Sequence, residues 1–163
     1  MVDNLTTKLD DTKDTENLGA ILAKVNFKGI VYLSGQLGAG KTTLVRGYLR
    51  ELGYQGVVRS PTFSIFELYQ LNGQSVCHLD LYRFNNAAEL EDTGVFDYFD
   101  SSQASFIEWP EYGVGCLPLP DLCCNFNLGP SANRRLVQLT ADTIAGKIVL
   151  DYLLSRDDEK VCT

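Results

Sequence analysis

The stretch Gly35-Gln36-Leu37-Gly38-Ala39-Gly40-Lys41-Thr42 has the spacing of a phosphate-binding loop, with glycine at its first and sixth positions followed by lysine and a hydroxyl residue. Each residue type answers a physical need. Glycines let backbone N–H groups turn inward around phosphate oxygens, and the helix that follows adds its positive end. Lys41 reaches the β and γ phosphates, and Thr42 ligates Mg2+. The pattern implies that Gly38, Ala39, Gly40, Lys41, Thr42 and Thr43 grip a nucleotide, with Thr43 against its α phosphate.

A phosphate loop works with an acid at the end of a neighbouring strand. Glu108, closing the apolar run Ser105-Phe106-Ile107, is the candidate for that acid, which holds Mg2+ through water or orients the attacking water. Trp109, the only tryptophan, reads first as packing. In His78-Leu79-Asp80-Leu81-Tyr82 the polar residues fall at every second position, so on a strand they project from one face. Asp80 there positions water, completes the Mg2+ shell, or makes only a sheet-edge hydrogen bond. His78 reads as a structural histidine, and Arg83 pairs with a carboxylate or a phosphate. Ser60-Pro61-Thr62 follows the loop's helix where nucleotide hydrolases carry a switch whose hydroxyl senses the γ phosphate, although an ordinary loop before a strand fits equally. The candidate catalytic set is therefore Lys41, Asp80 and Glu108, with Thr42 and Glu108 toward the metal.

The elements that must position these residues are legible from periodicity. Residues 14–25 place Leu18, Ile21, Leu22 and Val25 at helical spacing behind an acidic start. Residues 29–35, GIVYLSG, form a short buried strand that delivers the loop, and Leu44, Val45, Tyr48, Leu49 and Leu52 trace the helix after it, closed by Gly53. An Asn72-Gly73 pair between alternating apolar runs predicts a hairpin with strands at 62–70 and 75–82. A short helical segment over 87–99 is interrupted by Gly94, a strand over 105–109 is halted by Pro110, and a second hairpin turns at 129–133. Asp142 is placed to cap a last helix ending near Leu154. Six or seven strands with about four helices define an α/β fold, a three-layer P-loop NTPase-like domain with a mixed parallel and antiparallel sheet. With no linker or repeat, one domain is expected over residues 1–163, with 1–14 and 155–163 as poorly ordered tails.

Composition narrows the function. The chain is 45% hydrophobic and 21% charged, and no apolar run approaches the roughly eighteen residues of a membrane span. Its N-terminus lacks an apolar leader, so a cytoplasmic protein without membrane contact is expected. The five cysteines, at 77, 116, 123, 124 and 162, form no Cys-x-x-Cys pair; with one histidine in the chain they read as reduced core thiols rather than a zinc site. A net charge of −7 argues against DNA or a broad grip on any phosphate backbone, leaving Arg134 and Arg135 as a local basic spot.

Thr7-Lys8-Leu9-Asp10 matches the [NT]KxD pattern by which GTPases read guanine, but too few residues precede it for a buried strand and no DxxG follows the loop. Adenine is the base left by elimination, so ATP or ADP with Mg2+ is the expected ligand. Its ring is placed near Thr12 to Leu18.

Taken together, GQLGAGKTTLVRG, SPTFSIFELY, HLDLYRF, AAELEDTGVFDYF, IEWPEYG and RRLVQLTA resemble the TsaE family, also called YjeE, over residues 15 to 141. The resemblance implies a small ATPase, slow by itself, that acts with TsaD and TsaB in threonylcarbamoyladenosine modification of tRNA and meets tRNA only through them. Carried over by position, Lys41 and Thr42 bind phosphate and Mg2+, Glu108 is the second ligand near the metal, and Asp80 is the important acid of HxDxYR. Trp109 belongs to the EWPE signature needed for activity, and Ser60, Pro61 and Thr62 form the switch-like SPTF segment. Arg59 before SPTF departs from the smaller or less charged residue expected there. A small-molecule kinase and a nucleotide-gated binding module are the competing functions.

Overall fold

In GIVYLSG, residues 29–35, apolar and β-branched side chains leave no polar face, which suits a strand covered on both sides. In the computed structural model, which describes residues 3–129, 131 and 134–161, this strand is the middle of the sheet. The chain runs β1 (Asn4–Leu9), α1 (Thr12–Lys24), β2 (Gly29–Gly35), α2 (Lys41–Glu51), β3 (Phe66–Leu71) and β4 (Gln74–Asp80). It continues through α3 (Ala87–Asp92), α4 (Phe96–Ser101), β5 (Ala104–Glu108), β6 (Leu122–Leu128), β7 (Arg135–Ala141) and α5 (Ile144–Val161). The seven strands lie in the order β1-β7-β6-β2-β5-β4-β3. β6, β2, β5 and β4 are parallel, while β7 and β1 at one edge and β3 at the other run antiparallel to their neighbours.

Two cores sandwich this sheet, as the three-layer expectation requires. On one face Val31, Leu33, Phe106, Val76 and Leu139 meet Leu22, Leu44, Tyr48 and Val149 from α1, α2 and α5. On the other, Cys77, Leu79 and Ile107 meet Leu90 from α3, Phe99 from α4 and Val95 from between them. Among the described residues no helix is long and apolar enough to cross a membrane. Cys77 and Cys124 are core thiols, Cys116 and Cys123 are half-buried, and all four are free; Cys162 lies outside the described residues.

Several boundaries differ from those expected. Residues 4–9 do not form a loose tail: Leu5, Thr7 and Leu9 turn inward as a strand that pairs with β7 from Asn4↔Thr140 to Leu9↔Arg135. Its polar alternation hides it from an apolar-run reading. The Thr7-Lys8-Leu9-Asp10 stretch does lie on a strand, but at the sheet edge, with Asp10 ion-paired to Arg134 at 3.0 Å. At the other end α5 continues to Val161, past the predicted stop. Thr143 rather than Asp142 immediately precedes it, and the Thr143 hydroxyl donates to Asp121. β3 starts at Phe66 because Ile65 adopts φ +66, which no extended strand allows. β4 stops at Asp80 because its carboxylate accepts the N–H of Tyr82 two residues on, closing a turn. Of the turn predicted at 129–133, residues 130, 132 and 133 lie outside the described residues.

The helix that begins at the phosphate loop is located by α1. A Cβ on Gly19 would lie 2.0 Å from the Leu44 carbonyl oxygen, and one on Gly47 would lie 2.0 Å from that of Glu16. The two helices therefore touch backbone to backbone, and neither glycine tolerates a side chain. Gly47→Ala is expected to lower the unfolding free energy by about 1–3 kcal/mol, from the overpacking alone. Urea titration checks it, with an unchanged midpoint as the contrary result.

Candidate nucleotide site

The loop sequence forces its own shape. Gly38 at φ +75 and Gly40 at φ +112 occupy backbone space that other residues enter only with strain. Gly40 precedes α2 and no side chain caps the helix, so the first-turn N–H groups of α2 are left without a side-chain acceptor. Beside them opens a cavity of about 180 Å³. Lining it are Gly38, Ala39, Gly40, Lys41, Thr42 and Thr43 from the loop, with Ser60, Thr62, Asp80, Glu108 and Trp109, whereas Pro61, Arg83 and the 12–18 segment do not reach it.

Sheet register explains the convergence. β4 and β5 are parallel with Asp80 opposite Glu108, so both acids end their strands at the same height on the α2 side of the sheet. The Thr42 hydroxyl donates to Glu108 Oε1 at 2.6 Å, and His78 Nε2 lies 2.9 Å from the same oxygen. Asp80 is held on both oxygens, by the Ser60 hydroxyl and by the Tyr82 N–H. Ser60-Pro61-Thr62 is thereby tied to the acid of β4, with Ser60 and Thr62 at the cavity.

Lys41 is 4% exposed, and its ammonium donates to the carbonyls of Gly35 at 2.7 Å and Gln36 at 3.0 Å. Burial pushes its pKa below the ordinary lysine value, against the opposing pull of Glu108, Asp80 and Glu111. The ammonium also lies 3.9 Å from the centre of the Trp109 ring. Trp109 adopts φ +59, its N–H bonds the Leu33 carbonyl at 3.1 Å, and its indole packs on Tyr82 with ring centres 4.9 Å apart. It is thus both packing and cavity wall.

The start of α2 is faced by hard oxygen donors, the Thr42 hydroxyl and the Asp80 and Glu108 carboxylates, and among the described residues no group of three or more histidine, cysteine or acidic side chains is set to hold a metal ion. That fits Mg2+, which keeps waters and phosphate oxygens in its shell and takes only one or two protein ligands. Were Mg2+ bound, Thr42 and Glu108, in contact at 2.6 Å, would be the residues to supply them.

Among the described residues Arg83 makes no ion pair with a carboxylate, and its guanidinium lies 4.7 Å from the centre of the Phe63 ring. Arg59 is exposed and outside the cavity lining. Arg135, read from sequence only as a basic spot, holds the loop from outside, donating to the carbonyls of Ala39 at 3.2 Å and Gly38 at 3.3 Å. Strand parity carried the signal, because Arg135 shares its face of β7 with buried Val137, Leu139 and Ala141. A smaller cleft on that side, about 60 Å³, is lined by Thr12, Thr15, Thr43 and Arg135.

A phosphate loop between the central parallel strand and a helix, faced by the acid of the adjacent parallel strand, defines a P-loop fold. The crystal structure of Bacillus subtilis YdiB shares it, with a TM-score of 0.78 at 24% identity over 96% of this chain and 98% of that one. The chain belongs to the TsaE family: the family model described as threonylcarbamoyl adenosine biosynthesis protein TsaE matches residues 9–147, reaching into β1 and α5. It is 45% identical to the tRNA threonylcarbamoyladenosine biosynthesis protein TsaE of Haemophilus influenzae, over 74% of this chain and 75% of that protein. Its identity to the Bacillus subtilis protein of that name is 36%, over 64% of this chain and 63% of the other.

The depressed Lys41 predicts an alkaline limit. A lysine below its ordinary value of 10.5 loses its proton earlier as pH rises, so affinity for a phosphate-bearing ligand falls at a pH below that value. Binding of a fluorescent ADP analogue between about pH 7 and 10.5 measures it. Lys41→Arg, which does not titrate there, is expected to lack the fall.

Proposed function

We propose that this protein is an accessory ATPase of the tRNA threonylcarbamoyladenosine modification pathway, cytoplasmic, which binds and hydrolyses Mg2+-ATP to drive the cycle of a TsaD–TsaB complex. The observation that carries this reading is the convergence of Lys41, Thr42, Asp80 and Glu108 on one cavity at the start of α2. Lys41 and the loop N–H groups hold the β and γ phosphates, Thr42 and Glu108 hold Mg2+, and Thr43 meets the α phosphate. When bound, Mg2+ neutralises charge that develops on the phosphate oxygens. Asp80, fixed by Ser60 and Tyr82, orients the attacking water, and Ser60 and Thr62 report whether the γ phosphate is present. The indole of Trp109 closes the wall behind Lys41 and keeps its ammonium out of bulk water. The cleft lined by Thr12, Thr15 and Thr43 supports a place for the base beside the loop.

A protein partner is supported by exposed Leu37, Phe63 and Tyr112 beside the cavity, an apolar rim that water does not favour. The net charge of −7 supports reaching tRNA through that partner rather than directly.

Phosphate release from Mg2+-ATP, with and without purified TsaD and TsaB, tests the proposal. Turnover is expected to rise with the partners and to fall by about 100-fold or more in Lys41→Ala. Thr42→Ala is expected to raise the Mg2+ requirement. Phosphate appearing on a small-molecule acceptor would make the protein a kinase. Partner affinity that follows ATP yet ignores substitution of Asp80 and Glu108 would make it a nucleotide-gated binding module.

A further inference from the structure

His78 is the only histidine in the chain, and the proposed reaction leaves it without a role. Its side chain is wholly buried on β4, one strand period before Asp80 and on the same face. Nε2 lies 2.9 Å from Glu108 Oε1, the oxygen that also accepts the Thr42 hydroxyl at 2.6 Å. Nδ1 has no hydrogen-bond partner among the described residues.

This is not the pattern of a histidine kept for packing. An unfilled buried polar atom is destabilising, so buried polar groups are nearly always satisfied. The ring bears that cost at Nδ1 and makes, among the described residues, a single hydrogen bond, with the acid of the site. Leucine would fill much the same volume between Val76 and Asp80 at no such cost.

The contact has a geometric consequence. With Nε2–H and the Thr42 hydroxyl both donated to Oε1, that oxygen is filled and the rotation of the Glu108 carboxylate is fixed. A carboxylate fixed there draws the Thr42 hydrogen toward the sheet, which leaves the hydroxyl lone pairs facing away from it. Those lone pairs are what a cation at the start of α2 requires. We propose that His78 is a positioning residue, whose Nε2–H sets Glu108 and through it aims the Thr42 hydroxyl at the metal of a bound Mg2+-nucleotide. The inference rests on the Mg2+-nucleotide reading of the site.

Two variants separate positioning from support. His78→Gln can bring an amide donor close to the Nε2 position; His78→Leu fills the space and donates nothing. ADP affinity is measured first in EDTA and then across a Mg2+ titration. His78→Leu is expected to bind ADP in EDTA within about twofold of the unsubstituted protein but to need about 10–100-fold more Mg2+, with His78→Gln recovering most of the loss. Because the histidine is single, its ring 15N resonances need no assignment: the Nε2–H resonance is expected to move in Glu108→Gln.

Unchanged Mg2+ dependence in His78→Leu would overturn the proposal while leaving the nucleotide reading intact. So would equal loss of ADP affinity in EDTA by both variants, the mark of a structural role, or a ring protonated only at Nδ1. Absence of any Mg2+-dependent nucleotide binding in the unsubstituted protein would overturn both readings together.

Discussion

Glu108 is a carboxylate at 3% exposure, and an acid taken out of water costs several kcal/mol unless its lone pairs are filled. Its two partners come from different elements, Thr42 from the first turn of α2 and His78 from β4. Filling one buried oxygen therefore joins β5, β4 and the phosphate loop at a single point. The surrounding structure makes that meeting possible. Parallel register brings Asp80 level with Glu108, and the Gly19 and Gly47 contacts set how closely α1 lies on α2. An error of one residue in either would carry the threonine away from the acid.

Placing a cation in the same interior adds a second constraint. Desolvation disfavours the charged form of Lys41, while the nearby acids and the indole face of Trp109 favour it. The indole reaches this position only because Trp109 adopts a left-handed backbone, held by its bond to Leu33 and followed immediately by Pro110. A bulky residue at φ +59 is strained by about 1–3 kcal/mol. Strain and a lowered lysine occur in residues that line the cavity, and the unfilled histidine nitrogen belongs to the ring bonded to Glu108 behind it. Local preference is given up where the site needs it, while the sheet and its helices follow the ordinary rules.

How far the sequence exposed this depended on what each signal reports. Period and punctuation located β2, α2, the Asn72-Gly73 turn and the break at Gly94 to within a residue or two, because those signals are local. Loop spacing selected Lys41 and Thr42, and strand alternation put His78 and Asp80 on one face. Pairings across the sheet were not legible. Whether Asp80 stands opposite Glu108 depends on register between strands separated by α3 and α4, and no local pattern encodes it. β1 escaped notice because its inward side includes a threonine and only two leucines, so an edge strand looks like a polar tail.

The antiparallel strands have more than a covering role. Where strands of a sheet run parallel, ligands bind beyond their carboxyl ends, in the crevice where connections diverge to either side. β2 is such a place, with β5 on one flank and β6 on the other. The β5 flank supplies Glu108; the β6 side supplies Arg135 through β7. A trans peptide is planar and its C=O and N–H point in opposite directions. The peptide that gives the Ala39 carbonyl to Arg135 thereby commits the Gly40 N–H to the side away from the guanidinium. The phosphate loop is thus set from both flanks, by an acid that fixes its hydroxyl and by a base that fixes its carbonyls. The antiparallel half of the sheet belongs to the site as much as the parallel half does.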